Sequence, residues 1–138
     1  MADFDFVVKN GLTVSDNVIV NGNSLLIGAV RTYISSNIAI GVTDTVVDST
    51  SKQTMRSATY LMQVSSLSAE YQISEISVVH DGTDSQLTEY GVLTTGQFPL
   101  AAFKTDIFEG NVRLLASMHF GDGTVYFQKT SIESANTQ

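Results

Sequence analysis

Turn-forming pairs divide this sequence into short runs of residues that suit β-strands. From about residue 30 onward, Asp81-Gly82, Glu109-Gly110 and Asp122-Gly123 separate such runs, and turns recur at the spacing of about 8–12 residues that is typical of sandwiches and barrels. Val, Ile, Ser and Thr are abundant, and β-branched side chains fit a pleated sheet better than a helix. The sequence therefore predicts an all-β fold, an antiparallel β-sandwich of jelly-roll-like type over residues 30–132.

The first of these pairs predicts a hairpin whose buried face changes halfway along. With a two-residue loop, Ile76 lies opposite Leu87 and Ile73 lies opposite Tyr90. Each strand breaks its apolar alternation once, and the two breaks fall opposite each other. We therefore expect a bent strand pair that passes from one packing surface to another.

The other two pairs predict hairpins of the same kind, again with two-residue loops. In the second hairpin an apolar face is combined with an ion pair on the opposite face, which favours one register. The predicted cross-strand pairs are Ile107 with Val112, Thr105 with Leu114, Phe103 with Ala116, Asp106 with Arg113 and, in the third hairpin, Phe120 with Val125 and Met118 with Phe127.

The pattern of residues 1–29 predicts a separate N-terminal arm. Three apolar triplets alternate there with turn formers, namely Leu12-Thr13-Val14, Val18-Ile19-Val20 and Leu25-Leu26-Ile27. Strands this short cannot bury their faces alone, so the arm packs either on its own domain or on sister subunits or a larger particle. We favour the second option and predict an attachment interface made of Leu12, Val14, Val18, Val20, Leu25 and Ile27. Residues 133–138 are polar, so we expect them to form a frayed tail.

Composition argues against several classes of protein. The chain has no Cys, so disulfides and thiolate metal sites are excluded. Its net charge of −7 opposes binding to nucleic acid, which depends on Lys and Arg, and to anionic membrane surfaces. No apolar run approaches the ~18 residues of a membrane span, and the start MADFDF lacks the pattern of a secretory signal. We therefore expect synthesis in a cytoplasm and neither a nucleic-acid nor a membrane partner.

No group of residues predicts catalysis. The isolated candidates are His80 beside Asp81, the carboxylates Glu70, Glu75 and Glu89, and the pair Asp44 and Asp48. Neighbouring strand residues point to opposite faces, so the first pair does not converge by itself. The glutamates could form a general acid and base and the aspartates could bind calcium, but solvated turns and sheet faces explain them as well. The aromatic residues fit core positions better than a carbohydrate platform. We expect no catalytic residues, no cofactor and no metal.

Several blocks of sequence in a fixed order resemble a β-domain of virion structural proteins from tailed bacteriophages, particularly marine and cyanobacterial ones. The blocks are MRSATYLMQV (55–64), EISVVHDGT (75–83), TEYG (88–91) and GNVRLL (110–115). The opening FVVKNGL (6–12) is similar to the start of repetitive fibre stems in such proteins. The resemblance covers roughly residues 30–130, and it is specific for virion structural protein rather than for a position on the particle.

The resemblance implies a non-enzymatic component of the virion, made in the host cytoplasm. In proteins of this kind the β-domain occurs in tail-fibre-like and capsid-decoration proteins, which are commonly homotrimers. Because this chain has almost no stem, the resemblance favours a homotrimeric capsid decoration or cement protein, or a short fibre, attached through the arm. The partners implied are sister subunits and the major capsid protein or another virion protein. The alternative is a tail-fibre receptor-binding module that recognises a host surface glycan through loops of the sandwich.

Overall fold

A computed structural model describes residues 7–134, and its regular structure consists of β-strands. The strands are β1 (Ser24–Ile27), β2 (Val30–Ile34), β3 (Ile38–Ile40), β4 (Thr45–Ser51), β5 (Ser57–Ser66), β6 (Tyr71–His80), β7 (Ser85–Thr94), β8 (Ala101–Phe108), β9 (Asn111–Met118) and β10 (Gly123–Ile132). Within this range no helix is long and apolar enough to cross a membrane. The prediction of an all-β fold is confirmed.

Two antiparallel sheets of unequal width form the fold. The larger has the order β1-β2-β10-β5-β6-β7, with β3 also paired to β10, and the smaller has the order β4-β9-β8. All pairs are antiparallel, and β5 with β10 makes the longest register, from Ser57↔Ile132 to Ser66↔Gly123. The predicted sandwich of antiparallel sheets is therefore present, with one sheet about twice as wide as the other.

Alternating side chains of the central strands fill the space between the sheets. Strand β5 buries Ala58, Tyr60, Met62 and Val64 and exposes the residues between them, as the period of two in a strand requires. Strands β9 and β10 follow the same rule, and the Phe127 ring meets the Tyr60 ring edge-on, with centroids 5.3 Å apart. Full burial of each large apolar side chain contributes about 1.5–3 kcal/mol.

A buried ion pair joins the two sheets. Lys129 on β10 donates from Nζ to Oδ2 of Asp48 on β4 at 2.7 Å and to Oγ1 of Thr50 at 2.6 Å. The hydroxyl of Tyr60 donates to the same Asp48 oxygen at 2.7 Å. A bulge in β4 at Val47, between the paired residues Val46 and Asp48, shifts the register against β9. Burial, and then the charge of Asp48, raise the pKa of the Tyr60 phenol well above its ordinary value.

The predicted register of the first hairpin is wrong. Its loop has four residues, 81–84, so Leu87 lies opposite Val78 rather than Ile76. Asp81 Oδ1 accepts the N–H groups of Thr83 and Asp84 at 2.9 and 2.8 Å, and this side-chain turn accommodates the longer loop.

The buried face of this hairpin does not change halfway, as the sequence had suggested. Alternation along β6 is unbroken, because Gln72 and Ser74 occupy buried positions and Ile73 faces outward. The register shifts between Ile73 and Glu75 on β6. On β7 the shift includes Gly91, whose φ is 66°, and glycine adopts that conformation at little cost.

The second predicted hairpin is confirmed. Strands β8 and β9 pair in the predicted register, with Ile107 opposite Val112, Thr105 opposite Leu114 and Phe103 opposite Ala116. Both guanidinium nitrogens Nε and Nη2 of Arg113 donate to the Asp106 carboxylate, at 2.7 and 2.6 Å. This bidentate hydrogen bonding to Arg113 holds the pKa of Asp106 below its usual value.

The third predicted hairpin is wrong. Strands β9 and β10 belong to different sheets, so neither Phe120 with Val125 nor Met118 with Phe127 is a pair. The chain instead passes from the small sheet to the large one at residues 119–122. Gly123 begins β10 in close contact with its surroundings, since a Cβ there would overlap the carbonyl oxygen of Ser65.

The structure divides the described part of the arm into two sections. Strand β1 pairs with β2 from Ser24↔Tyr33 to Ile27↔Val30 and so extends the large sheet. Residues 7–23, which we call the free arm, contain no strand. At the other terminus, Glu133 N–H donates to Ala29 O at 2.9 Å and Ser134 is buried, while 135–138 and 1–6 lie outside the described residues.

We predict that Asp48→Ala lowers the free energy of unfolding by about 3–5 kcal/mol, because the buried Lys129 ammonium would lose its counter-ion. Urea denaturation measures the loss. The matched control is Asp44→Ala, whose carboxylate pairs with Lys104 at 3.0 Å on the surface, where the two side chains are 39% and 67% exposed. That change should remove less than about 1 kcal/mol. Equal losses in the two variants would contradict a structural role for the buried pair.

Candidate functional site

Three loops meet at one end of the sandwich, which we call the loop end. They are residues 67–70 between β5 and β6, residues 95–100 between β7 and β8, and residues 119–122 between β9 and β10. Between them lies a cleft of about 350 Å³, lined by Ser66, Ser68, Glu70, Gly96, Gln97, Phe98, Pro99, Leu100 and Phe120. Loops that a rigid sheet holds together are a common location for binding residues.

Hydrogen bonds tie the three loops to one another. The N–H of Tyr71 donates to Thr95 Oγ1 at 2.9 Å, and the N–H of Thr95 donates back to the carbonyl of Tyr71 at 2.9 Å. His119 N–H donates to Leu100 O at 2.9 Å. Leu100 N–H donates to the side-chain oxygen of the buried Gln72 at 2.5 Å. The walls of the cleft are therefore positioned by the sheets beneath them.

Two phenylalanine rings face solvent at this cleft. Phe98 is 69% exposed and Phe120 is 83% exposed, although each could bury a large apolar area. The Glu70 carboxylate lies against Gly96 so closely that a Cβ on that glycine would overlap it. Aromatic faces beside a few polar groups are the usual composition of a site for an organic ligand. This arrangement can stack against the apolar face of a ring and accept hydrogen bonds from hydroxyl groups.

Sequence reasoning considered Glu70 but missed Phe98 and Phe120, because it placed the aromatic side chains in the core. The lining comes from three loops that are far apart in the sequence, so no single motif contains it. A local signal is nevertheless present. Phe98 lies in the turn-like stretch Gly96-Gln97-Phe98-Pro99, and Phe120 directly precedes Gly121. Turns are usually made of small and polar residues, so a large aromatic residue inside one is unusual.

The glutamates considered as an acid–base pair are not brought together. Glu75 is on the exposed face of β6, whereas Glu89 points inward from β7 and accepts a hydrogen bond from Ser74 Oγ at 2.6 Å. The two carboxylates lie on opposite faces of one sheet. Glu70 belongs to the loop end, away from both strand positions.

His80 has a structural role in its turn. Its ring is buried, and Nδ1 accepts the N–H of Gly82 at 3.0 Å. That hydrogen bond assigns the proton to Nε2, which donates to the carbonyl of Met55. Asp81 points to solvent, and the backbone N–H groups of Asp84 and then Thr83 lower the pKa of its carboxyl.

The aspartates considered as calcium ligands each have a lysine partner. Asp44 pairs with Lys104, and Asp48 pairs with the buried Lys129. Among residues 7–134, no group of three or more His, Asp and Glu side chains is arranged to hold a metal ion.

All six residues of the predicted attachment interface are exposed. Leu12 is 66% and Val18 is 65% exposed. Leu25 and Ile27 lie in β1 at the edge of the large sheet, and the other four belong to the free arm. Their role in attachment remains a prediction.

No model of a known protein family matches the sequence, and no curated protein matches it. Solved structures similar to the chain include two phage tailspikes. One is the tailspike protein gp49 of Acinetobacter baumannii bacteriophage Fri1, a capsular polysaccharide depolymerase, with a TM-score of 0.49, 15% identity, and coverage of 82% of this chain and 19% of that one. The other is the tailspike of Acinetobacter phage vB_ApiP_P1, with a TM-score of 0.44, 10% identity, and coverage of 94% and 25%.

The chain spans about a fifth to a quarter of the length of these two tailspikes. Both TM-scores lie below 0.5, so the likeness carries no assignment of site or activity to this chain. The depolymerase activity is that of the Fri1 protein.

We predict that Gly96→Ala leaves the fold intact and moves the Glu70 side chain out of the cleft, because the new Cβ displaces only the end of a flexible side chain. Carbon NMR of the Glu70 carboxyl should report the change of environment. The matched control, Gly123→Ala, places its Cβ against the backbone oxygen of Ser65 and should destabilise the protein strongly. An unchanged Glu70 signal in Gly96→Ala would contradict the described cleft.

Proposed function

We propose that this chain is a structural module of a tailed-phage virion, which attaches through its N-terminal arm and presents the loop end of its sandwich to a glycan on the host surface. The observation that carries the attachment is the free arm, where large apolar side chains are exposed beside a sandwich that buries its own core. The phage assignment is supported by the resemblance of the blocks at 55–64, 75–83, 88–91 and 110–115.

Energetics favour a partner for the arm. Val7, Leu12, Val18 and Ile19 are each at least 65% exposed, and Val20 is 51% exposed. Removing such side chains from water contributes about 1.5–3 kcal/mol each. A partner that covers several of them would offset the entropy lost by ordering the arm.

The cleft at the loop end supports the receptor-binding role over a purely decorative one. Phe98 and Phe120 offer apolar rings, and Glu70, Gln97 and Ser68 offer hydrogen-bonding groups around one concavity. A host glycan presents the complementary combination of ring faces and hydroxyl groups. Capsid decoration by a homotrimer needs the arm alone and no exposed aromatic cleft.

Binding without cleavage is the chemistry that we propose for the cleft. Glycoside hydrolysis normally uses two carboxyl groups on either side of the scissile bond. The lining drawn from the described residues includes one carboxylate, Glu70. In the proposed role this carboxylate accepts hydrogen bonds from sugar hydroxyls.

We predict that Phe98→Ala and Phe120→Ala each weaken binding to a bacterial glycan array at least tenfold, which corresponds to about 1.4 kcal/mol, because each removes a stacking surface. The matched control is Phe108→Ala. Phe108 is also exposed, at 52%, but its ring lies under Arg113 at the end of β8. Equal losses in all three variants, or no binding by the parent protein, would contradict glycan recognition at the loop end.

Deletion of residues 2–23 should leave a folded sandwich that no longer oligomerises or binds particles. The truncation removes the free arm and retains β1 with its pairing to β2. Circular dichroism checks the fold, light scattering measures the oligomer, and rebinding to virions that lack the protein measures attachment. Full occupancy by the truncated protein would overturn attachment through the arm.

A further inference from the structure

The free arm contains two apolar triplets with a fixed spacing. Leu12-Thr13-Val14 and Val18-Ile19-Val20 have centres about six residues apart, which is about 20 Å in an extended chain. In a strand, the first and third residue of each triplet would share one face. Both triplets are exposed, with Leu12 at 66% and Val20 at 51%.

Strand β7 offers a long unpaired edge. It is the last strand of the large sheet and runs from Ser85 to Thr94. The N–H of His80 donates to Arg56 O, away from β7, so His80 and Ser85 form a non-hydrogen-bonded pair. By the alternation of an antiparallel ladder, Ser85, Leu87 and Glu89 then direct their backbone N–H and C=O groups to the free edge.

Two grooves on the outer face of the large sheet reach β7, one on each side of the register shift. The first, of about 440 Å³, has Val79 and Ile132 in its wall and ends on β7 at 86–88. The second, of about 320 Å³, has Ile73 and Leu93 in its wall and ends on β7 at 93–94. The exposed cross-strand row of Leu61, Glu75 and Tyr90 separates them.

The spacing of the grooves matches that of the triplets. Along β7 the two groove ends lie about six to seven residues apart, which is about 20–23 Å. An extended arm laid along this edge therefore brings one triplet to each groove. In an antiparallel pairing with β7, Leu12 and Val14 lie at the groove that ends at 93–94, and Val18 and Val20 lie at the groove that ends at 86–88.

The arm of the same molecule cannot make this contact. The free arm joins the sheet at β1, on the edge opposite β7. Five inter-strand gaps of ~4.8 Å separate those edges by about 24 Å. Only four residue-to-residue steps lead from Val20 to Ser24, and they span at most about 14 Å. The second triplet can therefore reach a β7 edge only on another molecule.

We propose that the free arm of one copy adds as an antiparallel strand to the β7 edge of a second copy, with its triplets covering the β7 ends of the two grooves. This inference rests on the proposed function, because it names the surface that receives the arm. Donor and acceptor lie on opposite edges of the sheet, so the contact is heterologous. It closes into a ring when the rotation between copies allows, and a homotrimer is one such ring.

Cross-linking between engineered cysteines tests the contact on the full-length chain, which has no native Cys. One preparation carries Ile19→Cys in the arm and an affinity tag, and the other carries Thr88→Cys on β7. The two are mixed and treated with a short bis-maleimide, so that the mixed product arises only between molecules. The control acceptors are Leu67→Cys at the loop end, which is 81% exposed, and Leu26→Cys on β1.

The mixed product should form at least fivefold more with Thr88→Cys than with either control. Adding Val18→Ser and Val20→Ser to the arm should reduce it to the control level, because the second triplet then loses its apolar contact. Equal yields for all acceptors, or a preference for Leu26→Cys, would overturn β7 as the receiving edge.

The particle-binding experiment separates this inference from the proposed function. If deletion of the free arm abolishes virion binding while β7 fails to cross-link, the acceptor is wrong and arm attachment stands. If β7 cross-links but the truncated protein still loads onto particles, the contact between copies stands and attachment through the arm is wrong.

Discussion

An open β-sheet leaves an unpaired row of backbone groups on each side, and those two edges govern how this protein can associate. The small sheet covers the inner face of the large one, but hydrogen bonding within the large sheet ends at β1 and at β7. The chain modifies both edges. The arm enters at β1, and β7 carries an inward-pointing Glu89 and a register shift near Gly91. Charges that point inward and bulges both discourage indiscriminate pairing. A strand that pairs with β7 must therefore fit the edge on both sides of the register shift.

The interior combines an apolar core with a small number of buried polar groups, most of which have partners. Lys129 and Asp48 meet between the sheets, where an unpaired charge would be severely destabilising. Strand β6 turns Gln72, Ser74 and His80 inward. Ser74 and His80 have hydrogen-bond partners, and Gln72 Oε1 accepts the N–H of Leu100, whereas Gln72 Nε2 has no partner among the described residues. These contacts fix the relative positions of the sheets and of the loops above them. The cleft beside Phe98 and Phe120 therefore rests on a framework that is ordered before any ligand arrives.

The features predictable from the sequence are those that local pattern determines. The β8–β9 hairpin has a tight turn, an apolar face and the Asp106–Arg113 pair, and all of these signals agree on one register. The β6–β7 hairpin was misread because buried Gln72 and Ser74 interrupt the hydropathic alternation without changing the face. Strand β10 was misplaced because its partners β5 and β2 are distant in sequence, and a turn at Asp122-Gly123 cannot reveal that the chain changes sheets. The cleft at the loop end depends on the same long-range pairing, so its residues become neighbours only in the fold.

The arm and the cleft define a module with separate surfaces for attachment and recognition. Apolar side chains on the free arm suit a protein partner, whereas the exposed rings and polar groups at the loop end suit a sugar. The most direct test is cryo-electron microscopy of whole virions at a resolution that traces the chain. We expect the sandwich at the surface of the tail, with arm density joining it to its neighbours and Phe98 and Phe120 facing outward. A sandwich that docks on the particle through the loop end, with the arm free in solvent, would contradict the proposed function.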